Sequence, residues 1–195
     1  MIRIGLTGSI GMGKSTTAAM FREMGIAVWC ADEAVHRFYD QGGAGVAIIG
    51  ALHGEAVRDG RVDRARLSQW LGEAPERFAL LEAAIHPLVE ADRQAFLDRA
   101  EAQGADMVVL DIPLLLEKGL EVMVDRVVVV SAPEHIQRER VLARPGMSAE
   151  RLDLILSRQM PDDQKRAKAD FVIETHRGMD HARRQVRAIV ESLRS

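Results

Sequence analysis

The run Gly8-Ser9-Ile10-Gly11-Met12-Gly13-Lys14-Ser15 constrains this chain more than any other segment. It has the spacing G-x-x-x-x-G-K-[ST], whose chemistry needs a strand, a tight loop and a helix N-terminus in that order. Ile2–Thr7 suits a short buried strand, and residues 16–24 suit a helix. Glycines let such a loop wrap around a polyphosphate with its N–H groups turned inward. The helix start adds further donors and the positive end of a dipole. Lys14 then reaches the β- and γ-phosphates, the Ser15 hydroxyl meets Mg²⁺, and Thr16 donates to the α-phosphate. A glycine-rich turn with no ligand is the alternative, and the flanking strand and helix weigh against it.

The chain has 195 residues, enough for one α/β domain with a helical insertion. A net charge of −3 argues against a general nucleic-acid binder, which carries a basic excess. The single cysteine, Cys30, cannot form an internal disulfide, which suits a reducing cytoplasm. No apolar leader precedes the first strand, and the longest apolar run, near Met107–Leu116, is broken by Asp111 and Pro113. A soluble cytoplasmic protein without membrane or nucleic-acid partners is expected.

Short β-branched runs alternate with helical patterns, the mark of a parallel sheet with crossover helices. The expected strands are Arg3–Thr7, Ala27–Cys30, Met107–Asp111, Arg126–Ser131 and Phe171–Glu174. Residues 32–106 exceed what one crossover needs and read as helices Asp32–Asp40, Gly45–Leu52, Arg64–Leu71, Pro75–Ala84 and Leu88–Gln103. Pro133 opens a helix that ends at Pro145-Gly146. Ser148 caps another through Gln159, Pro161-Asp162-Asp163 begins a further turn, and Met179–Leu193 forms the last helix.

Several side chains carry chemical options. Asp32 directly follows a strand; it can take a proton from an attacking hydroxyl, hold a metal-bound water, or simply cap a helix. Asp111 ends four apolar residues, as a Walker B carboxylate does, and would contact Mg²⁺ directly or through water. Glu117 reads as a solvated loop acid. Gln137, Arg140 and Arg144 share a helical face, as in a mobile lid whose guanidinium groups pair with phosphate; a solvated face is the plain alternative. His86 before Pro87 reads as a helix-junction residue more than a catalyst, and Arg64 as a substrate contact or a surface charge. Thr175-His176-Arg177-Gly178 is placed for contacts to a nucleotide base, or is an ordinary connector. The chain has no asparagine, so the Asn-Lys-x-Asp signature of guanine-specific switches is excluded.

These pieces together resemble the dephospho-coenzyme A kinase family. The resemblance runs through Leu6–Thr16, Ala31-Asp32, Asp63-Arg64-Ala65-Arg66-Leu67, Ile85-His86-Pro87 and Asp111–Glu117. It continues through Gln137-x-x-Arg140-x-x-x-Arg144, Gln159 and Lys168–Ile173, and so spans essentially the whole chain. Ser9 and Met12 depart from the family's usual glycine and small residue. The resemblance implies a three-layer P-loop NTPase fold: an α/β core at 1–31, 107–133 and 169–195, with a five-stranded parallel sheet. To that core it adds a helical coenzyme-A subdomain at 32–106 and a helical lid at 134–168.

The resemblance also implies ATP-dependent phosphorylation of the ribose 3′-hydroxyl of dephospho-coenzyme A, the last step of coenzyme A synthesis. Lys14, Asp32 and Arg140 would be catalytic. ATP would lie on Gly8, Gly11, Met12, Gly13, Lys14, Ser15 and Thr16, with Arg144, Thr175 and Gly178. The acceptor would lie on Thr7, Asp32, Arg64, His86 and Leu114, and Mg²⁺ on Ser15 and Asp111. The two small-molecule substrates need no partner protein, and a monomer with at most weak self-association is expected. The nearest rival is a kinase for a nucleoside monophosphate or sugar acid; the different-class rival is an adenine-nucleotide switch.

Overall fold

The computed structural model describes residues 1–194. Five strands make one sheet: β1 (Ile2–Thr7), β2 (Ala27–Cys30), β5 (Met107–Asp111), β6 (Arg126–Ser131) and β7 (Phe171–Glu174), in the order β2-β5-β1-β6-β7. β1 pairs in parallel with both β5 and β6, and β6 with β7. All five expected strands are present. Their near-continuous apolar runs have the physical cause expected of a parallel sheet, burial on both faces. Ile4, Leu6, Val128 and Val130 alternate with equally buried Val108, Leu110, Val127 and Val129.

The chain divides into two compact units, Met1–Trp29 with the residues from Ala100 onward, and Cys30–Arg99. In the first, α1 (Lys14–Glu23) and α9 (Met179–Arg194) pack on one another and on one face of the sheet. Ala182, Val186, Ile189 and Val190 of α9 are all buried, and their spacing of four, three and one forms a single apolar stripe. The remaining helices of this unit are α6 (Glu134–Leu142), α7 (Ala149–Leu156) and α8 (Asp162–Ala167). Ser148 caps α7 as expected, its hydroxyl accepting from Arg151 N at 3.2 Å.

The second unit contains α2 (Ala31–Tyr39), α3 (Ala44–Leu52), α4 (Arg64–Glu73) and most of α5 (Glu76–Ala102). It also contains an unforeseen two-stranded hairpin, β3 (Val57–Arg58) with β4 (Arg61–Val62). Its core is Ile49, Ala56, Val62, Leu67, Leu71 and Ile85. Asp63 caps α4, its carboxylate accepting from Ala65 N and Arg66 N, each at 3.1 Å.

Three expectations need correction. The break expected at His86-Pro87 does not occur, because α5 runs unbroken through Pro87. Proline there removes the N–H that would reach the Ala83 carbonyl, a cost of about 3 kcal/mol in a helix interior. Burial of Ile85, with Leu81, Leu88 and Val89 packed beside it, offsets that cost. Asp32 is not a helix cap: the cap position of α2 is Cys30, and Asp32 is exposed in the first turn. Glu117 is not solvated. Its Oε1 accepts from Met160 N at 2.9 Å and lies 2.8 Å from the ammonium of Lys165, whose side chain is 0% exposed. The Lys165 contact is an ion pair more than an aligned hydrogen bond.

No helix among the described residues is long and apolar enough to cross a membrane. The Glu117–Lys165 pair ties the loop after β5 to α8, and removing one member leaves the other charge buried alone. Lys165→Met is expected to lower stability by about 3–5 kcal/mol. Adding Glu117→Leu to the same chain is expected to recover more than half of that. Urea midpoints of the two variants and the parent check both expectations.

Candidate active site

The site begins with strand register. β1 is central, and Leu6 pairs with Asp111, the last residue of β5. β1 leads through α1 toward β2, whereas β5 leads to β6 on the opposite side of β1. The two connections run in opposite directions and, as right-handed crossovers, cover opposite faces of the sheet, which makes the β1–β5 end a switch point of the kind where doubly wound sheets hold their ligands. The glycine-rich loop leaves β1 at this point and enters α1 at Lys14. The Lys14 ammonium forms an ion pair with the Asp111 carboxylate, with side chains 13% and 4% exposed.

Two glycines are required by space and backbone. A Cβ on Gly8 would lie 2.6 Å from the Val130 carbonyl oxygen of β6. Gly13, the cap of α1, has φ +98° and ψ 16°, a left-handed conformation that strains other residues. Met12, unusual at its position, turns inward and is 2% exposed. Its sulfur accepts from Ala132 N at 3.1 Å, so the long side chain joins the core without crowding the loop.

Three successive carbonyls of the loop each accept from a side-chain donor. Gln137 Nε2 donates to Ile10 O at 2.8 Å, Arg140 Nη1 to Gly11 O at 3.4 Å, and Thr175 Oγ1 to Met12 O at 2.7 Å. Arg140 also donates to Thr175 Oγ1 at 2.8 Å and Thr175 O at 2.9 Å. Its guanidinium thus braces the loop against the connection after β7, and does not project alone from a lid.

A cleft of about 340 Å³ opens beside the loop, lined by Gly11, Gly13, Thr16, Arg140, Arg144, Thr175 and Gly178. Met20, Met179 and Ala182 give it an apolar wall that the sequence reading missed, because these residues share the ordinary core periodicity of α1 and α9. An apolar wall with polar groups at one end suits a purine nucleotide.

Ser15 is exposed on the first turn of α1. Its hydroxyl and the Asp111 carboxylate are hard oxygen donors. Among the described residues no group of three or more His, Cys, Asp or Glu can hold a metal ion. A metal held by Ser15 and Asp111 must complete its shell from phosphate oxygens and water, a donor set that fits Mg²⁺.

Thr7, expected at the acceptor, is fully buried, and its hydroxyl donates to Pro113 O at 3.0 Å. It holds the loop carrying Leu114, which is 36% exposed. In the second unit Arg64, the first residue of α4, lies 3.0 Å through Nη1 from His36 Nε2. His36 stands one helical turn after Asp32 on α2 and so shares a helix face with it. The i, i+4 spacing was the signal for His36, and it was not read. Tyr39 lies nearby; burial raises its phenol above the ordinary range, opposed by the Arg64 charge. His86 is exposed on α5, 3.7 Å from Glu90.

Comparison with known proteins agrees with this geometry. Residues 2–181 match the family model described as dephospho-CoA kinase. The dephospho-CoA kinase of Rhizobium meliloti is 52% identical over 195 residues, all of both chains. A crystal structure from Thermus thermophilus superposes with a TM-score of 0.85 at 37% identity, covering 98% of this chain and 96% of that one. The dephospho-CoA kinase of Campylobacter jejuni shares the fold, with a TM-score of 0.68 at 20% identity, covering 98% and 96%. A full-length relative at this identity and a family model matching residues 2–181 leave one assignment: the chain belongs to the dephospho-CoA kinase family.

Proposed function

We propose that this chain transfers the γ-phosphoryl group of ATP to the ribose 3′-hydroxyl of dephospho-coenzyme A, giving coenzyme A and ADP. The observation that carries the reading is the braced phosphate loop beside an apolar-walled cleft, in a chain whose full-length relatives bear that name. The fold itself is shared with kinases of other small acceptors, so the acceptor follows from the family.

In this mechanism ATP lies along Gly8–Thr16, with its base in the cleft bounded by Arg144, Thr175 and Gly178. Lys14 exchanges its Asp111 partner for the β- and γ-phosphates, which leaves the carboxylate to the metal side. Ser15 and Asp111 would hold Mg²⁺, which would supply charge neutralisation at the phosphate oxygens. Asp32 accepts the proton of the 3′-hydroxyl or orients it for in-line attack. Arg140 donates to the loop and the Thr175 connection through three N–H contacts, and a guanidinium has five donors. Those remaining are suited to the transferred group.

Arg64 and His86 of the Cys30–Arg99 unit, with Leu114, contact the acceptor, and residues 134–168 act as the lid. Closure excludes water that would otherwise hydrolyse ATP. Most of the rate comes from positioning and charge neutralisation, because little covalent chemistry falls to the protein. On this reading the protein works in the cytoplasm as a monomer on two small molecules.

Acceptor-dependent ADP release tests the reading directly: dephospho-coenzyme A is expected to support turnover, while shikimate, gluconate and a nucleoside monophosphate are not. Lys14→Met is expected to lower kcat by about 10²–10³-fold, the scale of losing one preorganised donor. It is also expected to destabilise the fold, because it removes the ion pair that Lys14 makes with buried Asp111. Lys14→Met with Asp111→Asn is expected to regain stability without regaining turnover, which separates the two roles in one pair of measurements. Asp32→Asn is expected to lower kcat by about 10²-fold or more with little change in the KM for ATP. A rise confined to that KM would place Asp32 at the nucleotide instead.

A further inference from the structure

The backbone of Ile10, in the phosphate loop, is held through both of its polar groups. Gln137 Nε2 of α6 donates to Ile10 O at 2.8 Å, and Ile10 N donates to Gln159 Oε1, beyond α7, at 3.1 Å. A backbone carbonyl can only accept and a backbone N–H can only donate, so the two amides are locked in opposite senses. Gln137 is 4% exposed, and its neighbour on α6, Arg140, reaches Gly11 O. Gln159 precedes Met160, whose N–H is held by Glu117, itself paired with buried Lys165. The second amide is thereby anchored to the loop that follows β5 and Asp111.

We propose that Gln137 and Gln159 are positioning residues for phosphoryl transfer, clamping the two peptides that flank the Ile10 Cα so that the loop holds its phosphate-binding shape before ATP arrives. This inference rests on the reading of the loop as the ATP site. A loop with several glycines has many backbone states, and ordering it at the moment of binding would weaken both affinity and alignment. Two hydrogen bonds to the successive peptides on either side of the Ile10 Cα remove that freedom, because they fix both backbone dihedrals of one residue. The clamp also joins the segment 137–159 to the loop, so that displacement of Gln159 releases the Ile10 N–H.

The opposite donor senses make the test specific. Gln159→Met and Gln137→Met each keep size and neutrality and lose one hydrogen bond. Each is expected to lower kcat/KM for ATP by about fivefold to tenfold. The KM for dephospho-coenzyme A is expected to stay within about twofold of the parent. Gln159→Glu keeps an acceptor for Ile10 N and is expected to recover most of the loss seen in Gln159→Met. Gln137→Glu loses its donor and sets a carboxylate against a carbonyl, and is expected to fall below Gln137→Met.

Gln159 is only half-buried, so its two variants carry the test whether or not the changes at buried Gln137 are tolerated. Equal losses in Gln159→Glu and Gln159→Met would overturn the clamp, as would unchanged kinetics in both methionine variants. The parent protein, assayed alongside, keeps the two ideas apart. If it fails to release ADP with dephospho-coenzyme A, the functional reading fails; if it turns over while the variants match it, only the clamp fails.

Discussion

The Lys14–Asp111 ion pair is the interaction around which the candidate site is arranged. Two nearly buried charges cannot be held apart in a low-dielectric interior without a large cost, so the pair fixes where the loop may start and where β5 must end. Parallel pairing of β1 with β5 puts Leu6 beside Asp111, and the loop turn then returns Lys14 to the same place. A slip of one residue in that register would turn Asp111 to the other face of the sheet. The ammonium would then be left without its counter-charge.

The loop itself has little intrinsic rigidity, and its shape comes from outside. Gln137, Arg140 and Thr175 each satisfy one of three successive carbonyls, and the Met12 side chain is seated in the core beneath Ala132. Carbonyls held by these donors orient the intervening peptides, which is the polarity a phosphate site needs. Arg140 therefore has a structural task in addition to the electrostatic one its position suggested. The connection after β7 is likewise both a wall of the base cleft and a brace, through the single hydroxyl of Thr175.

The sheet was legible because a doubly covered strand has one signature, a short unbroken apolar run, and five such runs stand between helical patterns. The loop was legible because its glycines and lysine sit at fixed offsets. Local signals failed where a long-range contact outweighed them. Pro87 marks a helix end by its own chemistry, yet packing around Ile85 carries α5 past it. Glu117 looks like a solvated acid until Lys165, 48 positions later, is found buried against it. The hydroxyl of Thr7 gives no local sign of its partner, a carbonyl more than a hundred residues away. His36 carried a readable spacing from Asp32, and only its contact with Arg64 gives that spacing meaning.

What the sequence determined alone is what depends on neighbours along the chain: the five strands of the sheet, the glycines of the loop, the cap at Ser148, and the ordered motifs that carry the family. The tertiary structure decided which side chains meet. Strand register chose Asp111 for Lys14, the placement of α6 chose Gln137 and Arg140 for the loop carbonyls, and burial turned Lys165 from a surface cation into a structural one. The division has a simple cause. Backbone conformation answers to energies set within a few residues, whereas the pairing of distant charges and amides is settled only when the sheet closes around them and excludes water.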